Sequence, residues 1–338
     1  MTGFRKYSKI EWLESLPLDK GIQLTHIVDH QIKGPSFAHL DDLKEGEKYN
    51  RFRKLDGDWK ISCLIEISEL SKQNPLIPLS LEHGVEQLKL HFKIKPDLKS
   101  IIIQLENVLI EAIDIFVSWN DMFPDDLFEI YSKIFSYYES STLINLELEI
   151  EENSRSFEKL SEQHLSINEA ILWSYNFGVF EIESWFKKLE EFYRIFNRVS
   201  IFKPYRVAIK VEFGKDFLTN ISSFRALKRV LEGLEFIDPL FYLNFYNVDT
   251  EEDLNNNLIQ LAIASLSASI SGADSIWVCP ADSFQSKQNE FWLKLALHQQ
   301  HILKQESKMN LVKDPSCGSY YIEDLTNKIF NYLNSALI

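Results

Sequence analysis

Three groups of residues combine type and spacing in ways that could do chemistry. His26 and His30 lie four apart and His298 and His301 three apart, so each pair could present two imidazoles to a metal from one helix face. The glutamate that an H-E-x-x-H site needs after its first histidine is absent, because Ile27 stands there. Both pairs are therefore read as ordinary surface or turn histidines. Glu147, Glu149 and Glu151 alternate, which puts them on one face of a strand, where carboxylates serve as general bases or as ligands for hard cations. The competing reading is an exposed strand end running into a polar loop. Cys317 sits in the most distinctive string of the chain, Asp314-Pro315-Ser316-Cys317-Gly318-Ser319-Tyr320-Tyr321-Ile322-Glu323. No neighbouring base or cation is placed to lower its pKa, so a structural role is expected for the thiol. The string itself reads as a helix stop at Asp-Pro, a flexible Gly318, a short Ser-Tyr-Tyr-Ile strand, and a new helix from Glu323.

The elements that must position these residues alternate in kind. Apolar, β-rich runs at Val85–Phe92, Ile113–Trp119, Ile144–Ile150, Tyr205–Phe213, Tyr242–Val248 and Ser275–Cys279 read as strands. Helical periodicity separates them at Asp97–Leu109, Asp125–Tyr138, Ser166–Phe177, Phe180–Phe196, Ser222–Leu234, Glu251–Ser269 and Ser286–Lys308. Parallel neighbours need long crossovers, so this pattern points to a parallel sheet in an α/β chain. No G-x-G-x-x-G or G-x-x-x-x-G-K-[ST] follows any strand, which argues against a nucleotide-binding doubly wound sheet. A TIM (β/α)8 barrel over residues 61–338 is the expected fold.

Residues 1–60 differ from the rest. Ser8 and Glu11 have the spacing of a capping box, and Gln31 to Asp58 is polar, with Gly34-Pro35 and Asp56-Gly57 and no sustained period. This reads as an N-terminal extended arm that wraps a partner, since an irregular stretch this long is uncommon without a job. The arm holds 11 Lys/Arg against 10 Asp/Glu, while the whole chain holds 36 against 50, a net charge of −14. A body this acidic, without a basic stripe, repels a phosphate backbone, so no nucleic acid is expected as partner. Three cysteines, Cys63, Cys279 and Cys317, are too few and too dispersed for a disulfide framework and fit a reducing compartment. The opening residues lack the apolar core of a signal peptide and no run of ~18 apolar residues occurs, so the expectation is a cytoplasmic protein that neither spans nor crosses a membrane.

Four motifs together resemble the methylmalonyl-CoA mutase family. The Asp314–Glu323 string is similar to that family's Asp-Pro-Ala-Gly-Gly-Ser-Tyr-Tyr-Val-Glu. Ser271-Gly272-Ala273-Asp274-Ser275-Ile276 resembles its Gly-Gly-Ala-Asp-Ser-Ile, Ile302-Leu303-Lys304-Gln305-Glu306-Ser307 its Ile-Leu-x-Glu-Glu-Ser, and Phe224-Arg225-Ala226-Leu227 its Leu/Phe-Arg-Ala. The resemblance therefore rests on Phe224, Arg225, Gly272, Asp274, Ser275, Glu306, Ser307, Asp314, Pro315, Gly318, Ser319, Tyr320, Tyr321 and Glu323, in the family's order and spacing. At the other end, Phe4, Ser8, Glu11 and Trp12, then Trp59-Lys60-Ile61, resemble the opening of the small subunit of the two-subunit bacterial enzyme.

The departures are equally specific. The Tyr-His pair of catalytic members is missing where the chain reads Phe157-Glu158-Lys159-Leu160, with His164 nearby. The family's Asn-x-x-Arg stands as Asn257-Leu258-Ile259-Gln260, its Arg-x-x-Arg-Asn helix as Lys294-Leu295-Ala296-Leu297-His298, and Cys317 replaces a Gly. Lost arginines remove the bidentate forks that suit phosphates and carboxylates. The cobalamin domain's Asp-x-His-x-x-Gly is echoed only falsely at Asp29-His30-Gln31-Ile32-Lys33-Gly34, and too little chain follows Glu323 for the ~100 residues of such a domain.

The resemblance thus implies a non-catalytic small subunit without a cobalamin-binding domain, with no catalytic, cofactor or metal residues of its own. It would stabilise the catalytic large subunit in a heterodimer, with adenosylcobalamin on that partner. Two alternatives stand beside it: an independent TIM-barrel enzyme using strand-end carboxylates such as Glu147, Glu149 or Asp274, and an assembly subunit for a related acyl-CoA mutase.

Overall fold

The computed structural model describes residues 8, 10–11, 25–29, 32–35, 58–120, 124–138, 144–149, 171–199, 206–234, 238–245, 253–283, 289–312 and 314–337. In chain order the strands are β1 (Thr25–Asp29), β2 (Ile32–Pro35), β3 (Lys60–Ile67), β4 (Gln87–Phe92), β5 (Asp114–Trp119), β6 (Ile144–Glu149), β7 (Ile171–Val179), β8 (Arg206–Glu212), β9 (Asp238–Phe245) and β10 (Ser275–Val278). The longer helices are α1 (Leu76–Glu82), α2 (Leu98–Gln104), α3 (Pro124–Tyr138), α4 (Ile182–Val199), α5 (Phe217–Glu232), α6 (Leu254–Ser271), α7 (Glu290–His301) and α8 (Tyr320–Asn334).

Strands β3 to β10 run parallel, each hydrogen-bonded to the next, and β10 pairs back onto β3, so the sheet closes into a barrel. Alternation along each strand splits its side chains between helices and lumen. On β3, Ile61, Cys63, Ile65 and Ile67 are buried among the helices, and so are Leu88, Leu90 and Phe92 on β4 and Val207, Ile209 and Val211 on β8. The residues between them are mostly polar and face inward. Burying this outer apolar layer under the helices, at roughly 25 cal/mol per Å², supplies the main favourable term for folding.

Side-chain caps fix where the helices begin. Asp216 accepts from Thr219 N at 2.9 Å to open α5, and Asp253 accepts from Asn255 N and Asn256 N at 3.0 and 3.3 Å to open α6. At the start of the chain, Ser8 N donates to Glu11 Oε2 at 2.9 Å while Glu11 N donates to Ser8 Oγ at 3.3 Å, the two bonds of the expected capping box.

Several expectations need correction. Ser166–Phe177 was expected to be helical, yet Ile171–Val179 is β7, paired with β6 and β8. Its aromatics serve a strand: Tyr175 and Phe177 are buried and point to the helix layer, while Ser174, just before them, faces the lumen. The Ser-Tyr-Tyr-Ile strand does not form, because α8 already begins at Tyr320 and its first turn is closed by Glu323 N donating to Ser319 O at 2.9 Å. The polar stretch from Gln31 holds regular structure at Ile32–Pro35, which pairs antiparallel with β1 and lies against α8. His26 is on β1, a strand and not the helix that its pairing with a residue four along requires. His30, the rest of the arm, Phe157 to Leu160 and His164 lie outside the described residues. Among the described residues no helix is long and apolar enough to cross a membrane.

Candidate functional site

Residues from two of the four motifs converge on one buried ion cluster between α5 and α8. Arg225 projects from α5, and its side chain is 1% exposed. Its Nη2 donates to Glu323 Oε1 at 2.9 Å and its Nη1 to Ser316 Oγ at 2.8 Å and to Asp314 Oδ1. The same Glu323 oxygen accepts from Gly318 N at 3.2 Å, and Ser316 Oγ donates to Asp314 Oδ1 at 2.9 Å. Gly318 reaches this carboxylate from a left-handed backbone at φ 86°, a conformation that disfavours a side chain. Asp314, Pro315, Gly318, Ser319 and Glu323 are therefore the turn that folds around one guanidinium. Phe224, fully buried beside Arg225, packs edge-to-face on Phe213 with ring centroids 5.9 Å apart. Cys317, half-buried, contributes its backbone to the turn, donating to Asp314 O at 3.2 Å.

The second motif joins α6 to the barrel. Gly272 ends α6 in the left-handed region at φ 79°, and its carbonyl accepts from Lys228 Nζ at 3.0 Å. Asp274 O accepts from Lys60 N at 2.9 Å, which starts the closing β10–β3 ladder, and the Ser275 hydroxyl reaches Gln87 across the lumen. The third motif lies in a π-turn, Ile302–Glu306, that Ser307 N closes by donating to Ile302 O at 2.9 Å. Glu306 and Ser307 are exposed. Tyr320 and Tyr321 open α8; partial burial, with the carboxylates of Asp216 and Asp324, pushes the Tyr321 phenol up to about 12.

Glu147 sits inside the barrel and not at an exposed strand end. Lys210 Nζ lies 2.6 Å from its Oε1 and Lys89 Nζ 3.9 Å from its Oε2, so one carboxylate on β6 bridges β8 and β4. Burial opposes its charge, but Lys210 and Lys89, with hydrogen bonds from Lys210 and Ser174, outweigh it and hold the carboxyl down at about 2. A carboxylate so stabilised is a poor general base near neutral pH.

Sequence reasoning passed over both lysines. Their signal was a lysine on the polar side of an alternating strand, Gln-Leu-Lys-Leu-His-Phe in β4 and Arg-Val-Ala-Ile-Lys-Val-Glu in β8. It passed over Lys304 too. That ammonium is nearly buried; it donates to Trp59 O at 2.9 Å and to both Glu86 oxygens at 2.9 and 3.0 Å, and lies 3.0 Å from Asp58 Oδ1.

His298 finds its partner outside its own helix. Its Nε2 is 3.1 Å from His83 Nδ1, while His301 Nε2 bonds the His83 carbonyl at 2.9 Å. Burial and the neighbouring His83, His301 and Lys294 lower the His298 pKa. Among the described residues no group of three or more His, Cys, Asp or Glu side chains gathers as a metal site.

The family model for methylmalonyl-CoA mutase matches residues 246–337, which hold Asp314 and Glu323 but not their partner Arg225. A methylmalonyl-CoA mutase homolog of Alkalihalophilus pseudofirmus is 32% identical over 101 residues, covering 30% of this chain and 69% of that protein. The chain belongs to the methylmalonyl-CoA mutase family. The methylmalonyl-CoA mutase small subunit of Porphyromonas gingivalis is 32% identical over 143 residues, 38% of this chain and 23% of that one. The methylmalonyl-CoA mutase of Escherichia coli is 36% identical over 142 residues, 39% of this chain and 20% of the other. The chain thus spans about a quarter or less of these two mutase chains. In this chain Arg225 and its carboxylates clamp the C-terminal helix to α5 of the barrel.

Proposed function

We propose that this chain is a non-catalytic small subunit of an adenosylcobalamin-dependent methylmalonyl-CoA mutase and stabilises a catalytic large subunit in a heterodimer. In that complex methylmalonyl-CoA and succinyl-CoA interconvert on the partner. The observation that carries the reading is the lumen: Lys89, Glu147 and Lys210 tie three strands together across it, with Phe116 and Trp277 buried on the same inward-facing layers. A barrel whose middle is filled by an ion cluster and two aromatic rings offers an acyl chain little room. The names of the relatives support it as well, since the matched chains of Porphyromonas gingivalis, Propionibacterium freudenreichii and Streptomyces virginiae are all methylmalonyl-CoA mutase small subunits.

Adenosylcobalamin fits the described residues poorly. Both ring nitrogens of His91 are taken by hydrogen bonds, and the rings of His83 and His298 lie edge to face with centroids 5.0 Å apart, which crowds the face that a corrin would need. The cofactor is accordingly assigned to the partner, and this chain to the cytoplasm. Residues 1–60 are assigned to an arm that wraps the partner. The barrel, residues 61–338, is assigned the TIM (β/α)8 form. The test is co-expression with the full-length mutase subunit of the same organism, followed by size-exclusion chromatography. A stable one-to-one complex is expected; two separate peaks would count against the reading.

The second reading, a barrel enzyme of its own, is not favoured for Glu147, whose charge is committed to two ammonium groups.

A further inference from the structure

Three side chains at the C-terminal mouth of the barrel form a chain of hydrogen bonds that the subunit reading does not use. His91 on β4 and Ser118 on β5 are register partners on adjacent strands, so both side chains rise on one face, and both are half-buried. His91 Nδ1 lies 3.0 Å from Ser118 Oγ, and its Nε2 lies 3.0 Å from Asn120 Oδ1. Asn120 sets the direction of every proton in the chain. Its Nδ2 donates to Lys93 O at 3.1 Å, which turns Oδ1, an acceptor only, toward the imidazole. His91 Nε2 then carries the proton, and in the neutral imidazole Nδ1 keeps a lone pair that accepts from the Ser118 hydroxyl. This is the protonation state of a general base aimed at a serine nucleophile, with a third group orienting the base.

We propose that Ser118, His91 and Asn120 form a nucleophilic site that takes acyl groups from activated carboxylic esters, an activity separate from the subunit role. The site lies at the C-terminal ends of two barrel strands, where barrel folds carry their chemistry. In the first step Ser118 Oγ bonds to the ester carbonyl carbon as its proton passes to His91 Nδ1. The carbon–oxygen bond to the leaving group then breaks, and the leaving group departs as the alcohol with the proton from His91. Water, deprotonated by the same Nδ1, then attacks the acyl-serine and releases the carboxylic acid. Asn120 is neutral and stabilises the imidazolium less than an aspartate would, which restricts the site to good leaving groups such as phenols and excludes amides.

The test treats the full chain with p-nitrophenyl acetate, following p-nitrophenolate release and mapping acetylation by peptide mass spectrometry. A rapid burst approaching one equivalent is expected, with the acetyl group on the peptide bearing Ser118. Ser118→Ala should abolish the burst, and His91→Gln should slow acylation about a hundredfold. Circular dichroism and thermal melting of both variants check that the barrel is intact. A burst unchanged in Ser118→Ala, or acetylation spread over surface lysines with none on Ser118, overturns the proposal.

Discussion

Arg225 on α5 and Glu323 on α8 are joined at 2.9 Å with each side chain 1% exposed, and they lie 98 residues apart in sequence. A charge removed from water this completely is costly unless it is paired and hydrogen-bonded, and here the guanidinium meets two carboxylates and a hydroxyl. The pair makes the C-terminal helix part of the barrel.

Arg225→Ala leaves Glu323 and Asp314 buried without their cation. The expected loss is about 3–5 kcal/mol of unfolding free energy, read as a lower denaturation midpoint in urea. Arg225→Lys, which keeps the charge but loses the fork, should fall between the two. Equal midpoints for wild type and Arg225→Ala would show that the cluster contributes nothing net.

Glu147 gives a pH dependence with a defined sign. Its carboxyl is held at about 2 in the fold against an ordinary 4.5, so its contribution is complete above the unfolded value and lost as pH falls toward 2. Glu147→Gln should remove that part of the acid sensitivity and weaken the barrel at neutral pH, since Lys89 and Lys210 then lose the carboxylate that lies between them. Stability curves of the two proteins from pH 6 downward should converge as the acid limit of about 2 is approached; curves that stay parallel would contradict the pairing.

Lys304 latches the entrance of β3. Its partners Glu86 and Asp58 are nearly half exposed and can return to water, so Lys304→Met should cost only about 1–3 kcal/mol. The local effect is sharper, because Glu86 Oε2 also accepts from Ile61 N at 2.9 Å. Amide exchange at Ile61 should accelerate in the variant while exchange in α8 stays unchanged.

The cysteines differ in reactivity by burial. Burial pushes the Cys63 thiol up to about 12 and the Cys279 thiol up to about 11, whereas Cys317 is half-buried in its turn. An aromatic disulfide reagent should modify Cys317 first in the native protein and all three only after unfolding. Rapid native modification of Cys63 would mean that β3 opens readily.

Much of this architecture was legible in the sequence. Asp125–Tyr138 is helical within one residue of α3, and the runs at Val85–Phe92 and Ser275–Cys279 are strands, because apolar alternation and cap residues are local signals. The family motifs were legible as strings, but their common partner was not. Only the fold shows that Arg225 gathers Asp314, Ser316 and Glu323, since that depends on helices meeting in space. β7 was misread because Trp173, Tyr175 and Phe177 lie within a pattern that also fits a helix, and tertiary pairing with β6 and β8 decides between them. The lumen lysines were overlooked for a related reason. A lysine on the polar side of an alternating strand reads as a solvent-facing charge until closure of the sheet turns that face inward.

The measurement that tests the central claim most directly is methylmalonyl-CoA isomerisation with adenosylcobalamin, assayed for this chain alone, for the large subunit alone, and for the co-expressed pair. The account predicts no turnover and no bound cobalamin for this chain alone, and full activity in a stable complex with the partner. Turnover by this chain alone, or a partner whose activity and stability are unchanged by its presence, would contradict it.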